Sequence, residues 1–352
     1  MENYTPPLEN TITPMRSGSE DLSNFVIQVS AHRDFEPIRT GITAIDKAIG
    51  GGLMRKTLVM LGSAPGMGKT ALAQWICENM AREGHKVLYL NLEMDRAQLL
   101  ARSISRIAYK RLGADLSALD ILRAYSFTDE QEKLFDDAVG IYRREIADNF
   151  IYNPDNVTNH IDSILDYMNE SMRFGQYDDK APIICIDYLQ LIDSGERDSV
   201  EGMKKVIYEL KTFAKNNNTV VIVIMANNRS SNRAGVAELE SGRDTSAIEY
   251  SGDLIFGMTY TAIDDKRKYQ DGTDKNGNPR MYEYDIDTIR RLKKEAFDNG
   301  EDVPEVCKEL SLKVLKNRFV DSERTARLVF DGRHASFSEY VNQESEWVTY
   351  KK

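Results

Sequence analysis

The chain has 352 residues, of which 41% are hydrophobic and 29% charged, enough apolar side chain for one large domain or two ordinary ones and too much for a disordered chain. Its 46 Lys and Arg against 56 Asp and Glu leave a net charge of −10, which excludes a surface coated with positive charge for indiscriminate nucleic-acid binding; any such contact must be local. Cys77, Cys185 and Cys307 are too scattered for a zinc site or a disulfide framework. No stretch approaches the ~18 apolar residues of a membrane span or the pattern of a signal peptide, so a cytoplasmic protein without a membrane partner is expected.

Residues 1–36, with Pro6, Pro7, Pro14 and only the short apolar piece Phe25-Val26-Ile27, read as a flexible arm or linker. From Thr57 the pattern changes to short aliphatic runs separated by helical periodicity, the form of an α/β domain with a mostly parallel sheet flanked by helices. The runs are TLVMLG (57–62), KVLYLN (86–91), PIICID (182–187), TVVIVIM (219–225) and DLIFGM (253–258). Leu72, Trp75, Ile76 and Met80 line one helical face and Met203, Val206, Ile207, Leu210 and Ala214 another. Residues 113–180 predict further helices around a short strand at 150–152, with a cap at 155–158 before Ile161. Residues 264–309 read as an insertion marked by the turn signals Asp271-Gly272 and Asn276-Gly277, followed by a late β-hairpin turning across 317–325 and a tail over 341–352. The main domain is therefore expected over 37–340.

Between the first strand and the first long helix lies Ser63-Ala64-Pro65-Gly66-Met67-Gly68-Lys69-Thr70, followed by Ala71. Ser63 takes the first position of the G-x-x-x-x-G-K-[ST] phosphate loop. Backbone amides there can wrap a polyphosphate, Lys69 can reach the outer phosphates, and the Thr70 hydroxyl can ligate the Mg²⁺ that accompanies ATP. Ligands of open α/β sheets sit beyond the carboxyl ends of the strands. There the second run ends at Asn91-Leu92-Glu93, the third at Asp187, and the fourth at Asn227-Asn228-Arg229. Asp187 is placed to hold Mg²⁺ or its water. Glu93 reads equally as the general base that polarises a water and as a solvated acid ahead of a helix capped by Asp95.

Taken in order, TGITAIDKAIGGGL, SAPGMGKTALA, VLYLNLEM, IICIDYLQLI, LKTFAKNNNTVVIVI and VLKNR resemble the ATPase domain of DnaB-like replicative helicases, from about Gly41 to Phe337. The resemblance implies a RecA-like P-loop NTPase fold, ATP hydrolysis and a hexameric ring on single-stranded DNA during replication. It makes the Glu of LEM, Glu93, the catalytic acid, and makes Lys316 and Arg318 of Lys316-Asn317-Arg318 groups supplied to a neighbouring subunit. Within 57–110 the other basic residues, Arg82, Lys86, Arg96, Arg102, Arg106 and Lys110, fall in or beyond helices leading away from the loop, so no arginine finger is expected from the same chain.

Three features depart from the family pattern. Ala226 stands where the family carries a Gln after the fourth strand, with Asn227 and Asn228 next to it; Tyr250 and Ser251 replace a Gln and an Asp; and 36 residues ahead of the domain cannot form the helical domain that contacts primase. These point to a phage or mobile-element version, or to a fragment that works with a separate loader or primase. The loop RSSNRAGVAELESGRD offers Arg229, Arg233 and Arg243 as DNA phosphate ligands, offset by Glu238 and Glu240 and with no aromatic residue to stack a base. The competing reading is a RecA-like ATP-binding switch or loader module with little unwinding.

Overall fold

The structure, a computed structural model, describes residues 17–31, 36–174, 181–226, 252–273, 275, 277–321 and 324–340. It divides into a segment ending at Glu36 and a body from Pro37 onward. In the first segment α1 (Gly18–Ala31) is a helix on which Leu22, Phe25, Val26 and Ile27 are exposed. The apolar piece of the arm is thus helical.

The body begins with α2 (Thr43–Ile49) and is built on a nine-stranded sheet in the order β11-β10-β9-β6-β1-β5-β4-β2-β3. The parallel part comprises β1 (Thr57–Ser63), β2 (Val87–Asn91), β3 (Phe150–Tyr152), β4 (Ile183–Asp187), β5 (Val220–Ala226) and β6 (Leu254–Tyr260). Three strands, β9 (Glu309–Asn317), β10 (Thr325–Asp331) and β11 (Ser336–Glu339), add antiparallel to the β6 edge. All seven residues of β1 are buried, as expected of a central parallel strand covered on both faces. Because side chains alternate, Leu58 and Met60 join one core layer with Ile184, Val223 and Val206, while Val59 and Leu61 join the other with Leu72 and Met80.

The helices that supply these layers are α3 (Lys69–Arg82), α4 (Arg96–Ile107), α5 (Ala118–Leu122), α6 (Asp129–Glu145), α7 (Ile161–Phe174) and α8 (Ser199–Asn216). Their starts follow local chemistry. The Asp95 carboxylate accepts from Ala97 N at 2.7 Å to open α4, Asp198 accepts from Val200 N at 2.8 Å to open α8, and Thr128 with Gln131 forms a capping box for α6. Residues 264–309 contain a two-stranded sheet of β7 (Lys268–Thr273) and β8 (Pro279–Glu283), reached through the short helix α9 (Thr261–Asp264), and then α10 (Ile286–Asn299), which buries Ile286, Ile289 and Ala296. The run at 253–258 extends two residues further than its apolar pattern suggests, because β9 pairs along it as far as Tyr260 opposite Leu310.

Candidate active site

Beyond Ser63 the chain leaves the sheet as a tight loop into α3. Gly66 (φ 81°) and Gly68 (φ 85°) take left-handed backbone that other residues adopt only at a cost. At Gly68 a side chain is also excluded by space, since a Cβ would lie 2.7 Å from the Phe330 ring. Ser63 is buried and its hydroxyl donates to Ala64 O at 2.9 Å. Lys69 donates from Nζ to Ser63 O at 3.0 Å and Ala64 O at 3.1 Å, lying back across the loop it belongs to. Burial lowers its pKa to about 8, against the pull of the Asp187 and Glu93 charges. Met67 and Ala71 pack into the core beneath, so Pro65, Gly66 and Gly68 are left to form the rim. Together these features make a helix N-terminus with backbone amides and a cation, the chemistry of a polyphosphate cradle.

Two acids face it from neighbouring strands. Asp187 ends β4 and is fully buried; the Tyr89 hydroxyl of β2 donates to its Oδ2 at 3.2 Å, whereas Oδ1 has no hydrogen-bond partner among the described residues. Burial pushes the carboxyl up to about 6; the Thr70 and Tyr89 hydroxyls oppose the rise and the Glu93 charge adds to it. Glu93 stands in the turn after β2, on the same cavity as Lys69, Thr70 and Asp187. That turn is closed by Asn91, whose side chain accepts from Met94 N at 3.0 Å and donates to Met94 O, while Asn91 N donates to Asn153 Oδ1 at 2.8 Å. Leu92 N donates to Asp187 O at 2.9 Å, so the β2–β4 ladder continues one residue past Asn91 and sets Glu93 beside Asp187.

The cavity holds about 580 Å³ and is lined further by Arg102, Phe330, Gly332 and Ala335, none of which the sequence pattern assigns to it. Arg102 corrects the expectation that every nearby basic residue points away. It projects from α4 beside Tyr89, Asp187 and Glu93; burial lowers its pKa, and those three groups oppose the fall. It makes no hydrogen bond or close ion pair among the described residues. Its helix is held over the cavity by α3, where Gln74 donates to Leu99 O at 2.9 Å and Ser103 Oγ at 2.7 Å and the buried Glu78 pairs with Arg106. The remaining wall comes from the β10–β11 turn. His334 sits between Asp331 (2.7 Å) and Asp115 (2.8 Å), Arg333 joins Asp115 at 2.8 Å, and Tyr109 stacks on the His334 ring at 4.2 Å. These contacts fasten the turn against the segment after α4.

Lys316 and Arg318 are not brought to this cavity. Lys316 lies opposite Ile255 in β9–β6 pairing, two strands from β1. Arg318 pairs through Nε with Asp253 Oδ1 at 3.1 Å, and Asp253 N donates to Leu58 O at 3.0 Å. That is the amino edge of the sheet. The stretch of β1 from Leu58 to Ser63 spans about 17 Å of strand, so the arginine stands at the edge opposite the phosphate loop of its own chain. Arg229, Arg233 and Arg243, with Asn227, Asn228, Tyr250 and Ser251, lie outside the described residues. Ala226 is described and lines the cavity; Gln190, just after β4, donates to its O at 2.8 Å and accepts from its N at 3.1 Å.

Among the described residues no helix is long and apolar enough to cross a membrane. The replicative DNA helicase DnaB of Pasteurella multocida (strain Pm70) is 26% identical over 269 residues, 72% of this chain and 51% of the relative, so the chain spans about half the length of that helicase. The DNA repair protein RadA of Campylobacter jejuni is 39% identical over 69 residues, 20% of this chain and 16% of that protein. Among solved structures, an ATPase domain superposes with a TM-score of 0.64 at 18% identity, covering 92% of this chain and 99% of that one. A DnaB-like replicative helicase, solved in a study of its interactions with primase, gives 0.64 at 19% identity over 94% of this chain and 69% of that chain. These likenesses support the mostly parallel RecA-like ATPase fold. Residues 37–339 match the DnaB-like helicase C terminal domain, and the chain belongs to that family.

Proposed function

We propose that the chain is the ATP-hydrolysing motor of a homo-oligomeric helicase, a hexameric ring that moves on single-stranded DNA during replication, with each active site shared between two copies. The observation that carries this reading is the separation of its parts. Lys69, Thr70, Glu93 and Asp187 meet at the carboxyl edge of the sheet, while Arg318 stands at the amino edge, the other end of the roughly 17 Å of β1 from Leu58 to Ser63. Arg102 is the guanidinium that its own chain brings to the cavity, and Arg318 is placed to serve the phosphates of a second copy. A protein that only bound nucleotide would need neither Glu93 nor a finger.

Mg²⁺ fits the residues present: the buried Asp187 Oδ1 has no hydrogen-bond partner among the described residues, and the Thr70 hydroxyl lies next to that carboxylate. Thr70 and Asp187 would hold the ion, which neutralises charge on the outer phosphates when bound. Ala64 to Ala71 would cradle the phosphates of ATP, Lys69 would turn from its loop carbonyls to the outer phosphate, and Glu93 would orient a water and take its proton. Lys316 and Arg318 would serve the adjoining copy. Arg229, Arg233 and Arg243 would grip DNA phosphates without reading sequence. Gln190 supports coupling despite Ala226, because its amide already bridges the turn after β4 to the tip of β5 on the cavity wall.

Steady-state ATP turnover with and without single-stranded DNA tests the proposal. Stimulation by DNA is expected. A slow rate that DNA leaves unchanged would favour the nucleotide-switch or loader reading, and a primase or loader partner would then have to be sought by binding.

A further inference from the structure

Arg318 is not left to swing freely in the position described above. Asp253, one residue ahead of β6, is anchored to the central strand twice: its N donates to Leu58 O at 3.0 Å, and its carboxylate Oδ2 accepts from Leu58 N at 3.0 Å. Arg318 is bound to it twice as well, through Arg318 N to Asp253 O at 3.1 Å and through Nε to Oδ1 at 3.1 Å. Lys211 of α8 shares Oδ1 at 2.9 Å. The acid is buried and the arginine side chain is 49% exposed, so a fixed anion holds Nε of a half-exposed guanidinium.

We propose that Asp253 is the positioning residue for Arg318 in the neighbouring subunit's active site; this rests on the reading that Arg318 acts in trans. An arginine side chain has many rotamers to lose, and a grip on Nε removes much of that freedom in advance. It also leaves the two terminal nitrogens as a fork suited to phosphate oxygens. Because Asp253 is shared with Lys211, one negative charge stands against two positive ones, and the fork keeps a positive field to offer. A carboxylate needed only to close the strand end would be satisfied by Leu58 N and Lys211, without holding an exposed guanidinium.

The test sorts variants by which side of an interface they damage, using the full chain and ATP turnover in mixed assemblies with verified subunit exchange. Asp253→Asn keeps an acceptor for Leu58 N and removes the charge. It should bind a fluorescent ATP analogue as wild type does and lose about 10²-fold in turnover, the cost of a misplaced group. Mixed with Lys69→Ala, whose finger is intact, it should recover turnover as Arg318→Ala does. Mixed with Arg318→Ala it should recover nothing. In an Arg318→Ala background it should slow turnover no further. If Asp253→Asn fails to assemble, Asp253→Glu, which keeps the charge one methylene out of place, should show the same sorting with a smaller loss. Wild-type turnover by Asp253→Asn overturns the inference. So does failure of the Asp253 variants to recover with Lys69→Ala while Arg318→Ala does recover; in that case Asp253 serves its own subunit and the shared site stands. Failure of the Arg318→Ala and Lys69→Ala pair overturns the shared site itself.

Discussion

The Tyr89 hydroxyl, from the middle of β2, and the Asp187 carboxylate, at the end of β4, form a buried pair with one open position: Oδ2 accepts from the phenol at 3.2 Å and Oδ1 from no described residue. Because burial raises Asp187 to about 6, its carboxyl holds a proton below that pH, and Mg²⁺ has to displace it. Lys69, lowered to about 8 by burial, loses its charge above that pH. Mg·ATP affinity should therefore peak between about 6 and about 8, falling toward tenfold per pH unit on the acid side. Stability of the nucleotide-free protein runs with these shifts. The Asp187 contribution is fully present below its unfolded value and is lost as pH rises through about 6; that of Lys69 is present above its unfolded value and is lost as pH falls through about 8. Tyr89→Phe removes a bond that lowers the Asp187 pKa, so the acid limb should move to higher pH. Titration of Mg·ATP binding from about pH 5 to about pH 9, spanning both shifted values, checks this; an acid limb unmoved by Tyr89→Phe would contradict the account.

Glu93→Gln keeps the shape of the turn that Asn91 closes and removes only the proton acceptor. ATP binding should be unchanged and turnover should fall about 10²- to 10⁴-fold. Single-turnover hydrolysis at the wild-type rate would return Glu93 to its reading as a solvated acid before α4.

Arg102 is a cation in the nucleotide cavity without a protein partner among the described residues. Arg102→Ala should weaken ATP binding about 10- to 100-fold, the scale of a lost charged hydrogen bond, with a smaller effect on ADP if the guanidinium reaches the terminal phosphate. Equal affinities for ATP in wild type and variant would remove Arg102 from the site.

The buried Glu78–Arg106 pair holds α4 over that cavity, with side-chain exposures of 0% and 3%. Removing one partner strands the other charge, so Arg106→Met should destabilise the fold by about 3–5 kcal/mol. Denaturant unfolding monitored by circular dichroism reads this directly; a midpoint within error of wild type would show that the pair is dispensable.

The alternation of buried strands with helical faces, and the loop between β1 and α3, follow from spacing alone. Glu93 and Asp187 could be placed in advance because parallel strands end at one edge, where ligands gather. Arg102 could not. It lies mid-helix in a run of buried positions, and only the bonds from Gln74 and Glu78 to α4 turn it over the cavity. The only hint was two long cations, Arg102 and Arg106, one helical turn apart among buried neighbours. Phe330 was likewise hidden, since its contact with Gly68 depends on the fold returning a late strand to an early loop. The family resemblance implies that Arg318 serves a neighbour; its place at the amino edge of the sheet, away from its own phosphate loop, is compatible with that proposal.

The most direct test of the shared active site mixes two inactive proteins. Arg318→Ala retains its own phosphate loop, and Lys69→Ala retains its arginine, so an interface between them holds one complete set. Each alone should assemble with its own kind and hydrolyse ATP poorly. Mixed with subunit exchange verified, they should regain turnover in proportion to the fraction of mixed interfaces, and the wild-type rate per subunit should rise with protein concentration as assemblies form. No recovery at any mixing ratio would contradict the account and return the β9–β10 hairpin to a charged sheet edge.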